Sequence, residues 1–392
     1  YGGDFEGRMQ FPVRILRGIR KICGKDFPVG FKFNAYEDVP NGIDHEVAAR
    51  IGKKMATEGA AYLHAVSMGL DVKVMSLARY PSMPTLYQPR NTTVSLAKNL
   101  KDNVRGVPTV AAGGILKPEE ADEIIGQGNA DMVAIGRALL ADPLWSYKAR
   151  RDERIVPCIR CHRCHHEVVK RGKVIVCTVN PYIAREPEER IVPAKKPKNV
   201  MVVGAGPSGI MAALIASRRG HDVTLYESGR EIGGQLVPGS NPPFKPESRD
   251  LLRYYREEIE DSNVRLVLNT HVEPELVRKV SPDALIIAIG AVPIIPNIPG
   301  AEGHNVMTAN QALRDVDTIR GENVVVVGGG NVGCETGLWL AQAGKKVAIV
   351  EPLEELMFLE EIKYNTIVLE RMLREAGVKV HTGSHLSEIH VK

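Results

Sequence analysis

Two glycine-rich turns, each entered by an apolar strand and left by a helical stretch, constrain this chain most. The first follows Asn199-Val-Met-Val-Val and reads Gly204-Ala-Gly206-Pro-Ser-Gly209. The second follows Asn323-Val-Val-Val-Val and reads Gly328-Gly-Gly330-Asn-Val-Gly333. In each, the first glycine permits a tight turn, the second lets a pyrophosphate approach the backbone, and the third allows close packing of helix on strand. Helices are expected over Ile210–Arg219 and Cys334–Ala343. Each leads through a glycine, Gly220 or Gly344, to a strand ending on an acid, Glu227 or Glu351. A carboxylate there can accept hydrogen bonds from both ribose hydroxyls. The repeat reads as an internal duplication of a nucleotide-binding unit. No arginine directly follows Glu351, and an acid repels a 2′-phosphate, so the second unit is expected to take NADH over NADPH.

Ahead of both turns, four of the six cysteines fall within twenty residues: Cys158, Cys161, Cys164 and Cys177, spaced C-x2-C-x2-C-x12-C. Three thiolates two residues apart can wrap one corner of a cubane and a more distant fourth can close it, so we read a [4Fe–4S] site. A structural zinc competes with that reading. So does c-type haem attachment, because Cys158-Ile-Arg-Cys161-His162 and Cys161-His-Arg-Cys164-His165 both match C-x-x-C-H, although they share Cys161. A disulfide framework does not suit so long a chain with so few cysteines. His162, His165 and His166 are expected as solvated loop residues. Cys23 and Cys334 lie in apolar surroundings and are expected as buried thiols of a cytoplasmic protein.

Residues 1–150 alternate helix and strand. A helix over Arg8–Ile22 would turn Phe11, Ile15, Ile19 and Ile22 inward. Strands follow at Pro28–Asn34, Ala61–Val66, Val107–Ala112 and Asp131–Ile135. Between them lie a helix capped by Asp44, one opened by Thr92 or Thr93, and one with Pro118 in its first turn. Four strands, each followed by a helix, fit half of a (β/α)8 barrel or a doubly wound sheet. Gly113-Gly114 and Gly136-Arg137 end consecutive strands. Bare backbone N–H groups and a guanidinium at neighbouring strand ends make a phosphate cradle. The plain alternative is two glycine turns and a surface arginine.

The formal net charge of +4 over 392 residues gives no reason to expect nucleic acid or a membrane surface as partner. The most apolar run, over 284–298, is broken by prolines and is too short to span a bilayer. Small molecules are therefore the expected partners, and nothing in the sequence indicates an oligomeric state. A charged, proline-containing linker over Ile183–Lys198 marks a boundary. The expected division is 1–150, the alternating strand–helix portion; 151–197, the cysteine segment; 198–315, the first Rossmann-like domain; and 316–392, the second.

Tyr1-Gly-Gly-Asp-Phe-Glu-Gly-Arg8-Met-Gln-Phe11-Pro resembles a YGG-S-x-x-N-R-x-R-F segment of old-yellow-enzyme-like barrels. Glu231-Ile-Gly233-Gly234-Gln235 resembles the IGGQ segment of flavoprotein reductases, and residues 283–290 resemble their second glycine-terminated strand. Over the whole chain, the order of barrel, cysteines and two glycine loops resembles the group of 2,4-dienoyl-CoA reductases, trimethylamine dehydrogenases and bile-acid-inducible enoate reductases. The resemblance implies that residues 1–150 are the C-terminal half of an FMN-binding TIM barrel, in a chain truncated at both ends. It implies FAD in the first Rossmann site, or ADP as in the amine dehydrogenase branch. It puts Lys32 beside the flavin N1–C2=O edge. It puts His64 near the substrate, where a histidine can help protonate; a lone histidine in an apolar strand is otherwise structural. The tyrosine that this group uses as proton donor precedes the YGG segment. The implied activity passes electrons from NADH through FAD, [4Fe–4S] and FMN to an activated C=C bond of an enoate or enoyl thioester. An amine dehydrogenase exporting electrons to a protein acceptor is the alternative, which the intact second loop disfavours. A non-catalytic fragment is the third reading.

Overall fold

Four parallel strands lie in chain order in the first of two units into which the computed structural model divides, Tyr1–His162 with Lys363–Val368. The structure describes residues 1–67, 77–186 and 191–390, so the middle of the expected linker, 187–190, lies outside the described residues. The strands are β1 (Gly30–Asn34), β2 (Tyr62–Val66), β3 (Thr109–Ala111) and β4 (Met132–Val133). Helices α1 (Phe5–Cys23), α2 (His45–Thr57), α3 (Val94–Asn103) and α4 (Pro118–Gly126) alternate with them. Sequential parallel order with a helix after each strand is the arrangement of neighbouring (β/α)8 barrel strands.

Local chemistry accounts for the element ends. Asp44 accepts a hydrogen bond from Val47 N and starts α2 as expected, and Pro118 occupies the first turn of α4. Thr93 does not cap α3; its hydroxyl donates instead to Ala112 O at 2.6 Å, tying the helix start to the end of β3. The core lies on the helix side of the sheet, where Leu63, Ala65, Leu96, Leu100 and Ala111 are fully buried. Helix α1 corrects the expected inward face. Met9, Val13 and Leu16 are buried, whereas Phe11, Ile15 and Ile22 are exposed. Both faces carry apolar residues at helical spacing, so periodicity alone selects the wrong one. Cys23, expected buried, is exposed at the helix end, where the chain leaves through Gly24.

The second unit is Arg163–Ile362 with Leu369–Lys392 and holds two parallel sheets. One is ordered β7 (Arg265–Val267), β6 (Asp222–Tyr226), β5 (Asn199–Val203), β8 (Ala284–Ile287); the other is β11 (Lys379–His381), β10 (Lys346–Val350), β9 (Asn323–Val327). In the first sheet the chain winds outward from β5 to β6 and β7, then crosses back to β8. The order therefore reverses between β5 and β8, the kind of crevice where ligands of open α/β sheets bind.

Helices α5 (Pro207–Arg218) and α6 (Asn331–Gln342) follow β5 and β9. Each starts about one turn earlier than expected, because its first turn is built from the glycine loop itself. The third glycine of each loop is required sterically. A Cβ on Gly209 would lie 1.8 Å from Gly204 O, and one on Gly333 would lie 1.9 Å from Gly328 O. Replacing Gly209 by alanine is therefore expected to force helix from strand and cost about 3 kcal/mol, at the upper end for overpacking. Chemical denaturation checks this, and a Gly209→Ala protein as stable as the parent would contradict the close approach.

Candidate functional site

In the first unit, Lys32, His64, Val110 and Met132 pair in one row across the four strands. Alternation in a strand puts this row on the face opposite Leu63 and Ala65. Lys32 is exposed and His64 half-buried. Burial, and secondarily the charge of Lys32, push the His64 pKa below its ordinary value of 6.5. Its Nε2 is buried with no hydrogen-bond partner among the described residues. A neutral imidazole with an unused ring nitrogen is what a ligand-facing histidine presents before its ligand arrives.

At the strand ends, Gly113 and Gly114 have φ of +98° and +91°, a region that favours glycine. Their N–H groups and that of Gly136 have no hydrogen-bond acceptor among the described residues. A Cβ on Gly114 would meet Pro84 Cγ at 2.7 Å. The Arg137 guanidinium donates to Pro84 O at 2.9 Å, so it is anchored rather than a loose surface side chain. These features fit the cradle reading: donors stand at adjacent strand ends, beside a fixed positive charge.

The cysteine segment departs from expectation at its histidines. His162 and His166 are buried, with only 1% and 6% of their surface exposed. Arg160 and His162 have φ of 51° and 63°, each costing a non-glycine residue about 1 kcal/mol or more. Left-handed residues flanking Cys161 curl the chain tightly, as a loop of closely spaced metal ligands must. Cys158 packs against the first unit's core, and the Cys161 carbonyl accepts from Asn365 Nδ2 at 3.2 Å. Cys164 and Cys177 belong to the second unit, where Cys164 lies on a short helical turn and the pKa of Tyr255 is raised by burial and then by nearby Cys177. All six cysteines are outside disulfides. By their number and spacing in the sequence, the four cysteines are a donor set of the kind that suits a [4Fe–4S] cluster, and also zinc.

His166, Glu167 and Glu361 bring three potential ligand atoms within 4.8 Å of one another. Glu167 is held by Arg163 at 2.7 Å and Arg171 at 3.5 Å, and Glu361 by Arg171 at 3.3 Å. The guanidinium groups already neutralise both carboxylates, and the group is an ion-pair network.

The two glycine loops repeat one another in their hydrogen bonds. Glu227 accepts from Ala205 N at 2.8 Å and Gly229 N at 2.7 Å; Glu351 accepts from Gly329 N at 2.6 Å and Leu353 N at 2.9 Å. Each acid braces the second residue of its own loop and the turn after its own strand. Gly204 adjoins β8, since a Cβ there would lie 2.4 Å from Ala288 O, which puts the first loop at the reversal of strand order. Gly233 N donates to Ala205 O at 2.7 Å, and Gln235 donates to Ala291 O, so the Ile-Gly-Gly-Gln segment packs on the loop. The second loop differs in carrying Cys334, whose thiol donates to Gly329 O at 3.2 Å. Burial, then Glu370, Glu351 and Glu335, push its pKa up to about 12, which makes it inert.

Sequence reasoning missed three features. Lys245 and Glu335 form a largely buried pair at 2.7 Å that joins the second loop's helix to the first nucleotide-binding portion. Arg160 and His162 passed as spacers between cysteines. The partners of each lie dozens of residues away in the chain, beyond the reach of any local pattern.

Residues 1–154 match the NADH:flavin oxidoreductase / NADH oxidase family, and residues 198–392 match the pyridine nucleotide-disulphide oxidoreductase family. The two matches stand in tandem along the chain. The residues between the two matches, 155–197, hold all four clustered cysteines. The chain is 38% identical to an NADH oxidase of Thermoanaerobacter brockii over 99% of its own length and 60% of that protein's. It is 33% identical to a cinnamate reductase of Clostridium sporogenes over 94% of its length and 58% of the relative's. A solved 2-naphthoyl-CoA reductase complex superposes with a TM-score of 0.92 at 28% identity, covering 99% of this chain and 58% of that one. The chain thus spans about three fifths of the length of the relatives it matches. The likeness supports a TIM-barrel-like portion followed by Rossmann-like domains.

The electrostatics of the row give a pH prediction. The folded-state pKa of His64 lies below the unfolded value, so its neutral form contributes stability above about pH 6.5 that declines as pH falls toward the folded pKa. Lys32→Gln removes the smaller of the two causes. The ring titration, followed by NMR, is expected to move upward but stay below 6.5. An unmoved titration would show that Lys32 does not act on His64.

Proposed function

We propose that this protein is an NADH-dependent flavin and iron–sulfur oxidoreductase that reduces a C=C bond conjugated to a carboxylate or thioester. The observation that carries the reading is the tandem of a flavin-oxidoreductase portion and a duplicated nucleotide-binding portion, with four cysteines at cluster spacing in the segment between the two matches. The domain assignment is 1–150 for FMN, 151–197 for the cluster segment, 198–315 for FAD and 316–392 for NADH. The substrate class rests on the relatives named cinnamate reductase and 2-naphthoyl-CoA reductase. A cytoplasmic setting accords with six cysteines outside disulfides, and no described helix is long and apolar enough to cross a membrane.

FMN, FAD and a [4Fe–4S] cluster, when bound, would supply the redox chemistry, carrying electrons from NADH to the alkene. The chain's own residues bind and orient. Gly113, Gly114, Gly136 and Arg137 would hold the FMN phosphate. Lys32 would set a positive charge at the flavin's carbonyl edge, as a point charge rather than a guanidinium fork. His64 is neutral at physiological pH and would orient substrate through a hydrogen bond at Nε2; its depressed pKa argues against its giving up a proton as an imidazolium. Gly204, Gly206, Gly209, Glu227 and Gln235 would hold FAD. Gly328, Gly330, Gly333 and Glu351 would hold NADH, with the Glu351 carboxylate repelling the 2′-phosphate of NADPH. Cys158, Cys161, Cys164 and Cys177 would bind the cluster.

Anaerobic turnover of an aryl enoate such as cinnamate tests the proposal. One NADH is expected to be consumed per alkene reduced, with NADPH far slower. A Cys161→Ser variant is expected to keep NADH-driven dye reduction at the nucleotide-binding portion and to lose alkene reduction. Equal loss of both activities would contradict the proposed route. Reduction of the protein by a secondary amine but not by NADH would replace the reading with amine dehydrogenation.

A further inference from the structure

The segment Pro81–Arg90 belongs to the first unit and, in sequence, to no regular element, yet it is held at unusually many points. Ser82 Oγ donates to Ser67 O at the end of β2, and Thr92 Oγ1 donates to Pro81 O at 2.7 Å. Gln88 folds the loop on itself, its side chain accepting from Thr85 N at 2.9 Å. Arg90 pairs with Glu120 at 2.9 Å, and Glu120 also caps Leu116 N at 2.9 Å. Pro84 fills the space that a Cβ on Gly114 would need, and Pro84 O accepts from Arg137 of the strand-end cradle.

The other side of the same loop meets the cysteine segment. Arg160, only 2% exposed, donates through Nη1 to Gln88 O at 2.7 Å and through Nη2 to Leu86 O at 3.4 Å. His162 donates through Nε2 to Pro84 O at 3.3 Å, the carbonyl that Arg137 also uses. The His162 ring packs on the Tyr364 ring at 5.4 Å. Both donors are the left-handed residues on either side of Cys161. Their strained backbone is thus held by partners on the loop. One carbonyl, Pro84 O, is the point where the cysteine loop and the phosphate cradle meet.

We infer that Arg160 and His162 are positioning residues that fasten the cysteine loop to the strand-end cradle through Pro81–Arg90, so that Cys158, Cys161 and the FMN phosphate site form one frame. The inference rests on the proposed flavin and cluster reading and adds to it a role for two residues placed in neither binding site. The guanidinium fork suits this task because it engages two carbonyls at fixed spacing; an ammonium keeps the charge and loses the second bond. Disturbing Arg160 should therefore loosen the loop and, through Pro84 and Arg137, weaken FMN.

Arg160→Lys and Arg160→Gln test this by two readouts on the purified protein. The first is hydrogen exchange of residues 81–92; the second is the FMN dissociation constant by fluorescence. Arg160→Lys is expected to speed exchange in the loop and weaken FMN roughly tenfold, with iron and FAD content unchanged; Arg160→Gln should do both more strongly. Faster loop exchange with unchanged FMN affinity would overturn the coupling and leave Arg160 a local brace. Unchanged exchange in Arg160→Lys would overturn the lock itself. A parent protein that binds no FMN would remove the underlying flavin reading instead, and is told apart because loop exchange is measured without flavin. Should Arg160→Gln fail to fold, Arg160→Lys decides alone.

Discussion

Backbone N–H groups gathered at the ends of parallel strands are the constraint on which the structure turns. Glycines close β3, β4, β5 and β9 directly or within a few residues, at Gly113, Gly136, Gly204 and Gly328. A Cβ would crowd Thr93 at Gly113 and Ala288 O at Gly204, and Gly328 has a φ of +103° that favours glycine. Parallel sheets put all such ends on one edge. The chain repeats this device in a barrel-like portion and in two Rossmann-like portions.

The acids at the ends of β6 and β10 show how these loops keep their shape before a ligand binds. Glu227 and Glu351 each bond the N–H of the residue between the first two glycines of their loop. Charge-assisted bonds of this kind are stronger than neutral ones, and here they are made twice with the same geometry in two portions of the chain. The acid that would select the ribose is thereby also the brace that holds the pyrophosphate loop in place.

Much of this was legible in the sequence because it is local. Strand, glycine loop, helix and terminal acid occupy one short stretch, and the third glycine of each loop, Gly209 or Gly333, has a steric reason that follows from the tight turn. The four strands of the first unit and the Asp44 cap were legible for the same reason. The inward face of α1 was not, since two apolar stripes compete and only tertiary packing chooses Met9, Val13 and Leu16. The burial of His162 and the role of Arg160 were not legible either. Their acceptors are carbonyls on Pro81–Arg90, and a backbone carbonyl leaves no mark in a sequence. Polar residues between cysteines read as solvated until the loop that covers them is seen.

The proposed function depends most on a redox centre, held by Cys158, Cys161, Cys164 and Cys177, that NADH would reduce. The most direct measurement is the visible absorption and electron paramagnetic resonance of anaerobically purified protein, with iron and acid-labile sulfide analysis, before and after NADH. About four irons and four sulfides per chain are expected, with a broad visible band that bleaches with NADH and a low-temperature signal from the reduced cluster. Zinc in place of iron, or an iron centre that NADH leaves oxidised, would contradict it.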